Sequence, residues 1–471
     1  MDTPATTPAD LRALLARQRE AWHARTPDYA QRMDDLARLR GAFKARLEDF
    51  AAAMGADFGR RSRHESLLSD GMTVLSEIDY VRRRLRRWMR PQRMLADWLF
   101  WPARCEIRYQ PLGVVGVIAP SNYPVNLALI PLVDALGAGN HVMLKPSEHT
   151  PRTAELLREL LASVFPDERV ATVLGGPDVA AAFAALPFDH LLFTGSTAIG
   201  RKVMQEAAGN LTPVTLELGG KSPAIVAPDY PLDTAAARIA AGKFLNAGQT
   251  CVAPDYVLLP QGARDAFVEA MRTYVTTRYP GLRDSPDYSS IVGDHQYARL
   301  AALLEDARAK GAQAVTLPDA GAHDPARRVL APTLLLGVKD DMRVMQEEIF
   351  GPILPILTYA TLDEALAYVN ARPRPLALYH FDHDRARSER VLERTVAGGV
   401  CLNDTVLHFA QESLPFGGVG PSGMGHYHGH AGFLTFSKQK PVFRQARWSS
   451  MALMRPPYRG LAERVVRFLT R

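Results

Sequence analysis

The feature that most constrains this chain of 471 residues is a series of short apolar runs separated by helical patterns. The runs are "GVVGVIAP" (113–120), "HVMLKP" (141–146), "VATVL" (170–174), "HLLFT" (190–194) and "TPVTLEL" (212–218). The best marked helix between them starts at Thr150, expected to act as N-cap, with Pro151 at the first helical position. Strands that alternate with helices imply an α/β fold, a parallel sheet with helices on both faces. Ligands of such sheets bind outside the carboxyl ends of the strands, so the residues just after each run are the candidate ligand contacts. A second α/β region runs from about 219 to 402, with helices over 233–247 and 297–310 and strands over 332–338 and 353–358. Before the first strand, about ninety residues read as helices, and Leu36, Leu39, Phe43, Leu47 and Phe50 form one apolar stripe.

Composition narrows the function. With 47% apolar and 23% charged residues, the chain has the balance of a globular protein of two or three domains, and disorder is excluded. Cys105, Cys251 and Cys401 are too few for a disulfide framework and form no CxxC pair. A reducing, cytoplasmic setting and no metal site are therefore expected. The opening "MDTPATTPAD" lacks the pattern of a signal peptide. Residues 109–133 carry no charge, but four prolines interrupt them, so they read as strand, loop and helix start rather than a membrane span. The net charge of +6 is local, because residues 82–93 hold seven arginines. Such a run marks either a nucleic-acid footprint or one solvated face of a helix whose other face is Leu85 and Trp88. No nucleic-acid motif accompanies it, which favours the solvated face. The terminal "LAERVVRFLTR" likewise reads as a solvated helix end rather than a membrane contact.

The strand ends supply the candidate chemistry. Asn122 follows the first run and offers an amide donor, although a turn asparagine before an X-Pro step would look the same. Lys145 and Glu148 follow the second and suit the hydroxyls of a nucleotide ribose, or equally a surface lysine and a first-turn acid. Gly195, Ser196 and Gly200 lie in a glycine-rich turn into a helix, where free N–H groups can meet a phosphate. Thr197 replaces the middle glycine of the usual dinucleotide fingerprint. Glu217 ends an apolar strand, where burial would raise its pKa and suit it to general acid–base work. Cys251 follows a helix that runs out at Gly248, and is either a nucleophile or a small buried hydrophobe.

Taken together, "FTGSTAIG" (193–200), "ELGGKSP" (217–223) and "FLNAGQTC" (244–251) resemble the aldehyde dehydrogenase superfamily. "LKPSE", "EEIFGPILPI" (347–356) and "LPFGGVGPSGMGHYHG" (414–429) extend the likeness over roughly residues 105 to 440. "GGVCLND" (398–404) and "RPPY" (455–458) are similar to its class 3 branch and, within it, to the coniferyl-aldehyde dehydrogenases. The resemblance implies a Rossmann-type cofactor domain, an α/β catalytic domain and a small β oligomerisation element. It divides the chain into N-terminal helices (1–90), an oligomerisation segment (91–112), an NAD-binding domain (113–218), a catalytic domain (219–404), a bridging region (405–445) and a tail (446–471). It implies oxidation of an aldehyde to its acid through a thiohemiacetal and thioester on Cys251. Asn122 would hold the oxyanion and Glu217 would activate water. Lys145, Glu148 and Glu348 would meet the riboses, Phe350 the nicotinamide ring, and Gly195 to Gly200 the pyrophosphate. The cofactor would be NAD, with NADP possible, and the assembly a homodimer through 103–110 and 414–440.

The implied substrate is aromatic or of medium chain length, coniferaldehyde-like, with Tyr123, Phe244, Phe409 and Phe416 in segments near its tunnel; the alternative is that these rings are ordinary core, and Phe244 on its helix suits either reading. Two departures stand out: Ser121 where relatives often carry a ring, and Lys243 with Phe244 ahead of Cys251. Two rivals share parts of the pattern. An acylating dehydrogenase or acyl reductase would not want the water-activating Glu217. A basic nucleic-acid or membrane-surface protein on an inherited fold would not need Asn122, Glu217 and Cys251 together.

Overall fold

The computed structural model describes residues 7–458 and 460–470. Three sheets organise them. The first has six strands, in the spatial order Gly423–Met424, Val214–Glu217, His190–Thr194, Val114–Ile118, His141–Lys145 and Val170–Thr172. All its pairings are parallel except that of the edge strand Gly423–Met424, which runs antiparallel with Gly423 opposite Glu217. Val114–Ile118, His141–Lys145 and His190–Thr194 are buried at every position, as strands covered on both faces must be. Ile118, Lys145, Thr194 and Glu217 end neighbouring strands, so the loops after them share one edge.

The second sheet has seven strands. Ile353–Tyr359, Tyr256–Pro260, Pro223–Val226 and Ala377–Phe381 form its centre. Its pairings are parallel except at the edge strand Gln313–Thr316. The third is a small antiparallel sheet of Gln92–Met94, Arg104–Pro111 and Ser437–Arg444.

The N-terminal helices cover the first sheet. Leu36, Leu39, Phe43 and Phe50 are buried, but their stripe crosses a break, since one helix ends at Ala45 and the next begins at Leu47. A longer helical stretch runs Arg63–Ser66, through a π-helical turn Leu67–Met72, into Thr73–Trp88. In its last turns Leu85 and Trp88 are buried while Arg83, Arg84, Arg86 and Arg87 face solvent. The helical part of the arginine run is thus the solvated face of an anchored helix, whose Trp88 ring lies 5.7 Å from that of Phe433, while Arg90 and Arg93 lie beyond the helix end.

One local expectation fails. Thr150 precedes the helix Pro151–Val164, but its side chain makes no cap, and its buried hydroxyl has no hydrogen-bond partner in the structure. The cap comes from Asp57, whose carboxylate accepts from the amides of Arg152 (3.1 Å) and Thr153 (2.9 Å) and from the Thr153 hydroxyl (2.7 Å). A carboxylate satisfies the free amides and complements the helix dipole better than a hydroxyl does. Among the described residues, no helix is long and apolar enough to cross a membrane. The final helix, Gly460–Leu469, leaves Val466, Phe468 and Leu469 exposed.

Candidate active site

Two loops meet at the binding edge. The first follows Val114–Ile118 and carries Asn122 and Tyr123. The second follows the helix Leu232–Phe244 and carries Cys251. The helix stops at Phe244 because Asn246 and Ala247 adopt left-handed backbones, with φ of +50° and +52°. Gly248 continues the turn at φ +75°, and a Cβ there would fall 2.4 Å from the Gly351 carbonyl oxygen, so only glycine fits.

The loops are tied directly. Asn122 Nδ2 donates to the Gln249 carbonyl at 3.1 Å, and the Tyr123 and Thr250 hydroxyls bond at 2.7 Å. Asn246 Nδ2 donates to the Asn122 carbonyl at 3.0 Å. Gln249 is held in turn by Asn246, Ser290 and the Val292 amide. Asn122 is buried and Cys251 half-buried. The Asn122 amide has a second N–H left for a ligand.

Three acid-forming groups face one another here. Glu217 is 2% exposed, and neither carboxylate oxygen has a hydrogen-bond partner in the structure. Burial drives its pKa well above the ordinary carboxyl range. The Cys251 thiol is pushed up to about 12 by burial, with Glu348 and Glu217 adding to it. Glu348 is pushed up to about 8 by burial and by Asp255. It passes so close beneath Gly219 that a Cβ there would lie 1.8 Å from its Oε2. Lys221 bonds Asp255 at 2.6 Å, and Asp255 accepts from the Ile349 amide at 3.2 Å, which holds the 347–351 strap against the Gly219 turn. Phe350, in that strap, has φ of +52°.

The rest of the edge is open. Ser196 caps the helix Thr197–Ala208, and Ser196, Ala198 and Ile199 are exposed. Gly200 lets that helix approach its strand, since a Cβ would lie 2.5 Å from Leu218. Lys145 is buried and bonds Glu148 at 2.7 Å. Burial raises the Glu148 pKa, but Lys145 outweighs it and holds the carboxyl below its ordinary value. Glu148 lies in the turn before the helix, so it is not a first-turn acid. A buried ammonium beside a carboxylate, a capped helix start and the half-buried Glu348 carboxylate make a set of donors and acceptors that suits ribose hydroxyls and a pyrophosphate.

The aromatic residues expected near a tunnel divide. Phe244 is 0% exposed and belongs to the core. Tyr123 and Phe416 are buried, and Phe409 is half-buried, its ring 4.8 Å from that of Phe416. Lys243 is buried beside Asp255 at 3.8 Å. Three residues escape sequence reasoning altogether: Arg61, Glu65 and Asp70 reach this site from the N-terminal helices. A broad surface groove along Asp49, Ala53, Arg152 and Glu155 includes none of the site residues. Among the described residues, no group of three or more His, Cys, Asp or Glu side chains is arranged to hold a metal ion.

One parallel sheet edge thus gathers a thiol, an amide donor and an unpartnered carboxyl beside groups suited to a nucleotide. The comparisons agree. The model of the "Aldehyde dehydrogenase family" matches residues 1–442. A Pseudomonas aeruginosa protein named "Probable coniferyl aldehyde dehydrogenase" is 54% identical over 457 residues, spanning 97% of this chain and 95% of its own. A solved Staphylococcus aureus AldH, in a substrate-bound state, is 37% identical with a TM-score of 0.92 and covers 98% of this chain and 99% of its own. A P. syringae indole-3-acetaldehyde dehydrogenase variant in complex with NAD+ and IAA is 26% identical with a TM-score of 0.84, over 94% of this chain and 90% of its own. The chain belongs to the aldehyde dehydrogenase family. It catalyses NAD(P)-dependent oxidation of an aldehyde.

Proposed function

We propose that the chain oxidises a flat, mostly apolar aldehyde of the coniferaldehyde type to its acid, with NAD preferred over NADP. The observation that carries the reading is the meeting of Cys251, the Asn122 amide and the unpartnered Glu217 carboxyl at one sheet edge. Cys251 Sγ attacks the aldehyde carbon as its S–H bond breaks and the proton passes to water. The free Asn122 N–H and the Cys251 amide hold the resulting oxyanion. Lys145, Glu148, Glu348 and the Gly195–Gly200 turn, with Ser196 as its cap, would hold the dinucleotide, with Phe350 against its nicotinamide ring. Bound oxidised nicotinamide supplies the hydride acceptor and a positive charge, and positive charge lowers the pKa of a nearby thiol and carboxyl. Collapse of the oxyanion, with the hydride leaving the former aldehyde carbon for that acceptor, would leave an acyl thioester on Cys251. Glu217 then takes a proton from water as its oxygen attacks the thioester, and the acid departs with the thiol restored.

The name of the P. aeruginosa relative supports the substrate class. So does the packed ring pair of Phe409 and Phe416, suited to a planar apolar molecule. The test compares kcat/KM for acetaldehyde, hexanal, benzaldehyde and coniferaldehyde. Coniferaldehyde is expected to lead; a tenfold preference for acetaldehyde, about 1.4 kcal/mol of transition-state binding, would defeat the assignment.

The same reading assigns residues 113–218 to the cofactor and 219–404 to catalysis. The small sheet pairs segments from 91–112 and 405–445, and around it Met94, Trp98 and Phe443 are exposed. Exposed apolar groups beside free strand edges suit a homodimer, which sedimentation velocity would show as one species near twice 51.8 kDa. The free state of all three cysteines suits a cytoplasmic setting.

A further inference from the structure

Arg61 has a fully buried side chain that reaches into the reaction centre. Its Nη1 donates to the Asn122 main-chain carbonyl at 2.8 Å, and its Nη2 to Asp70 Oδ2 at 2.9 Å. Asp70 turns its other oxygen to the amides of Val125 (3.2 Å) and Asn126 (2.9 Å). The loop that carries Asn122 is therefore gripped at its carbonyl on one side and at its amides on the other. Asp70 stands in the π-helical turn Leu67–Met72, an irregularity often found at functional sites. Glu65, just before that turn, accepts from the Asn246 amide at 3.1 Å and from the Ser289 hydroxyl at 3.0 Å. Asn246 opens the left-handed run that leads to Cys251, and strained residues of this kind persist only where surrounding groups hold them.

Stability alone is a weak reason for such a network. A buried ion pair adds little net stability over an apolar replacement of similar volume. The outward contacts of these three side chains also fall mainly on the two loops that carry Asn122 and Cys251. We propose that Arg61, Asp70 and Glu65 are positioning residues for aldehyde oxidation, which fix the Asn122 amide against the turn presenting Cys251. This rests on reading Asn122 as the oxyanion donor and Cys251 as the nucleophile.

The test is a double-mutant cycle on the full chain, read as the single-turnover rate of reduced-cofactor formation. Asn122→Ala is expected to slow that rate by roughly 10²–10³-fold. Arg61→Lys, which keeps the charge but cannot serve both partners, is expected to slow it by about tenfold or more. In the combined variant the second loss is expected to vanish within about threefold, because Arg61 acts through Asn122. The dissociation constant for NAD should move by less than about threefold, since no contact of the network reaches the Gly195–Gly200 turn. If Arg61→Lys fails to fold, the near-isosteric Asp70→Asn takes its place in the same cycle. A multiplicative combined loss, or an unchanged rate in the single positioning variant, overturns the proposal while Asn122 keeps its role. A wild-type rate in Asn122→Ala would instead overturn the oxyanion reading, and the proposal with it.

Discussion

At the Gly195–Gly200 turn, Ser196, Ala198 and Ile199 stand in solvent, and the helix start is capped only by its own serine. At the Asn122 and Cys251 loops, the side-chain amides are spent on other parts of the protein, and the left-handed residues Asn246 and Ala247 lie within the Cys251 loop. Both regions belong to the same binding edge, yet one is open and the other over-determined. A dinucleotide must enter and leave at every turnover, which a pre-paired site would hinder. A tetrahedral oxyanion needs donors already in place, because reorganisation during reaction weakens their effect. The backbone strain sits on the side to which the proposed mechanism assigns the chemistry.

The sharpest way to break this contrast is to remove the nucleophile. Cys251→Ser is expected to abolish turnover, by at least about 10³-fold, while the NAD dissociation constant stays near that of the wild type. Cys105→Ala and Cys401→Ala should retain most activity. Turnover near wild type in Cys251→Ser would end the assignment.

Next in size is Glu217→Gln. Stopped-flow absorbance should show a first burst of reduced cofactor followed by steady turnover slower by roughly 10²–10⁴-fold. The pH dependence sharpens it. A base must be deprotonated, and burial has raised this carboxyl. In the wild type the steady rate should therefore climb as pH rises through a value above the ordinary carboxyl range, and that limb should be absent from the glutamine variant.

On the open side the expected effect is smaller. Glu148 holds the Lys145 ammonium at 2.7 Å. Glu148→Gln removes the charge that would repel a 2′-phosphate and frees Lys145 to meet it. The ratio of kcat/KM for NADP over NAD should rise by about tenfold, or 1.4 kcal/mol. An unmoved ratio would place Glu148 away from the ribose.

The smallest effect lies behind the reaction centre. Glu77 accepts from the Gly429 amide at 2.8 Å, and Asp134 from that of His428 at 3.2 Å. Burial holds Glu77 up to about 7, and Asp134 well above its ordinary value beside it. The folded pair keeps a proton that unfolded carboxyls release, so stability should fall as pH rises through about 7. Glu77→Gln should flatten that slope and raise the melting temperature at pH 8.5, by about 1 kcal/mol of stability. An unchanged pH profile of melting would show that the pair titrates elsewhere.

Much of the site was legible in the sequence for identifiable reasons. Glu217 is an acid at the end of an apolar strand, and Cys251 stands in the loop after a helix, although that helix ends at Phe244 and not at Gly248, because Asn246 and Ala247 turn left-handed first. The arginine run was readable because Leu85 and Trp88 recur at helical spacing within it. Thr150 misled because local sequence favours a hydroxyl cap, whereas Asp57, 96 residues from Thr153, supplies a charged one. Phe244 stayed open between tunnel and core because closeness to Cys251 in sequence says nothing about which face of its helix is buried, and the structure buries it completely.

What the sequence determined by itself was periodic or contiguous: the order of strands and helices, the apolar stripes, and the motifs at strand ends. These depend on backbone geometry that repeats every two or 3.6 residues. What only the tertiary structure decided was pairing across distance. Arg61 meets Asn122 from 61 residues away, and Glu65 meets Asn246 from 181. A hydrogen bond acts over about 3 Å of space and leaves no trace in sequence spacing. The grip on the reaction centre therefore emerged only once the chain was folded.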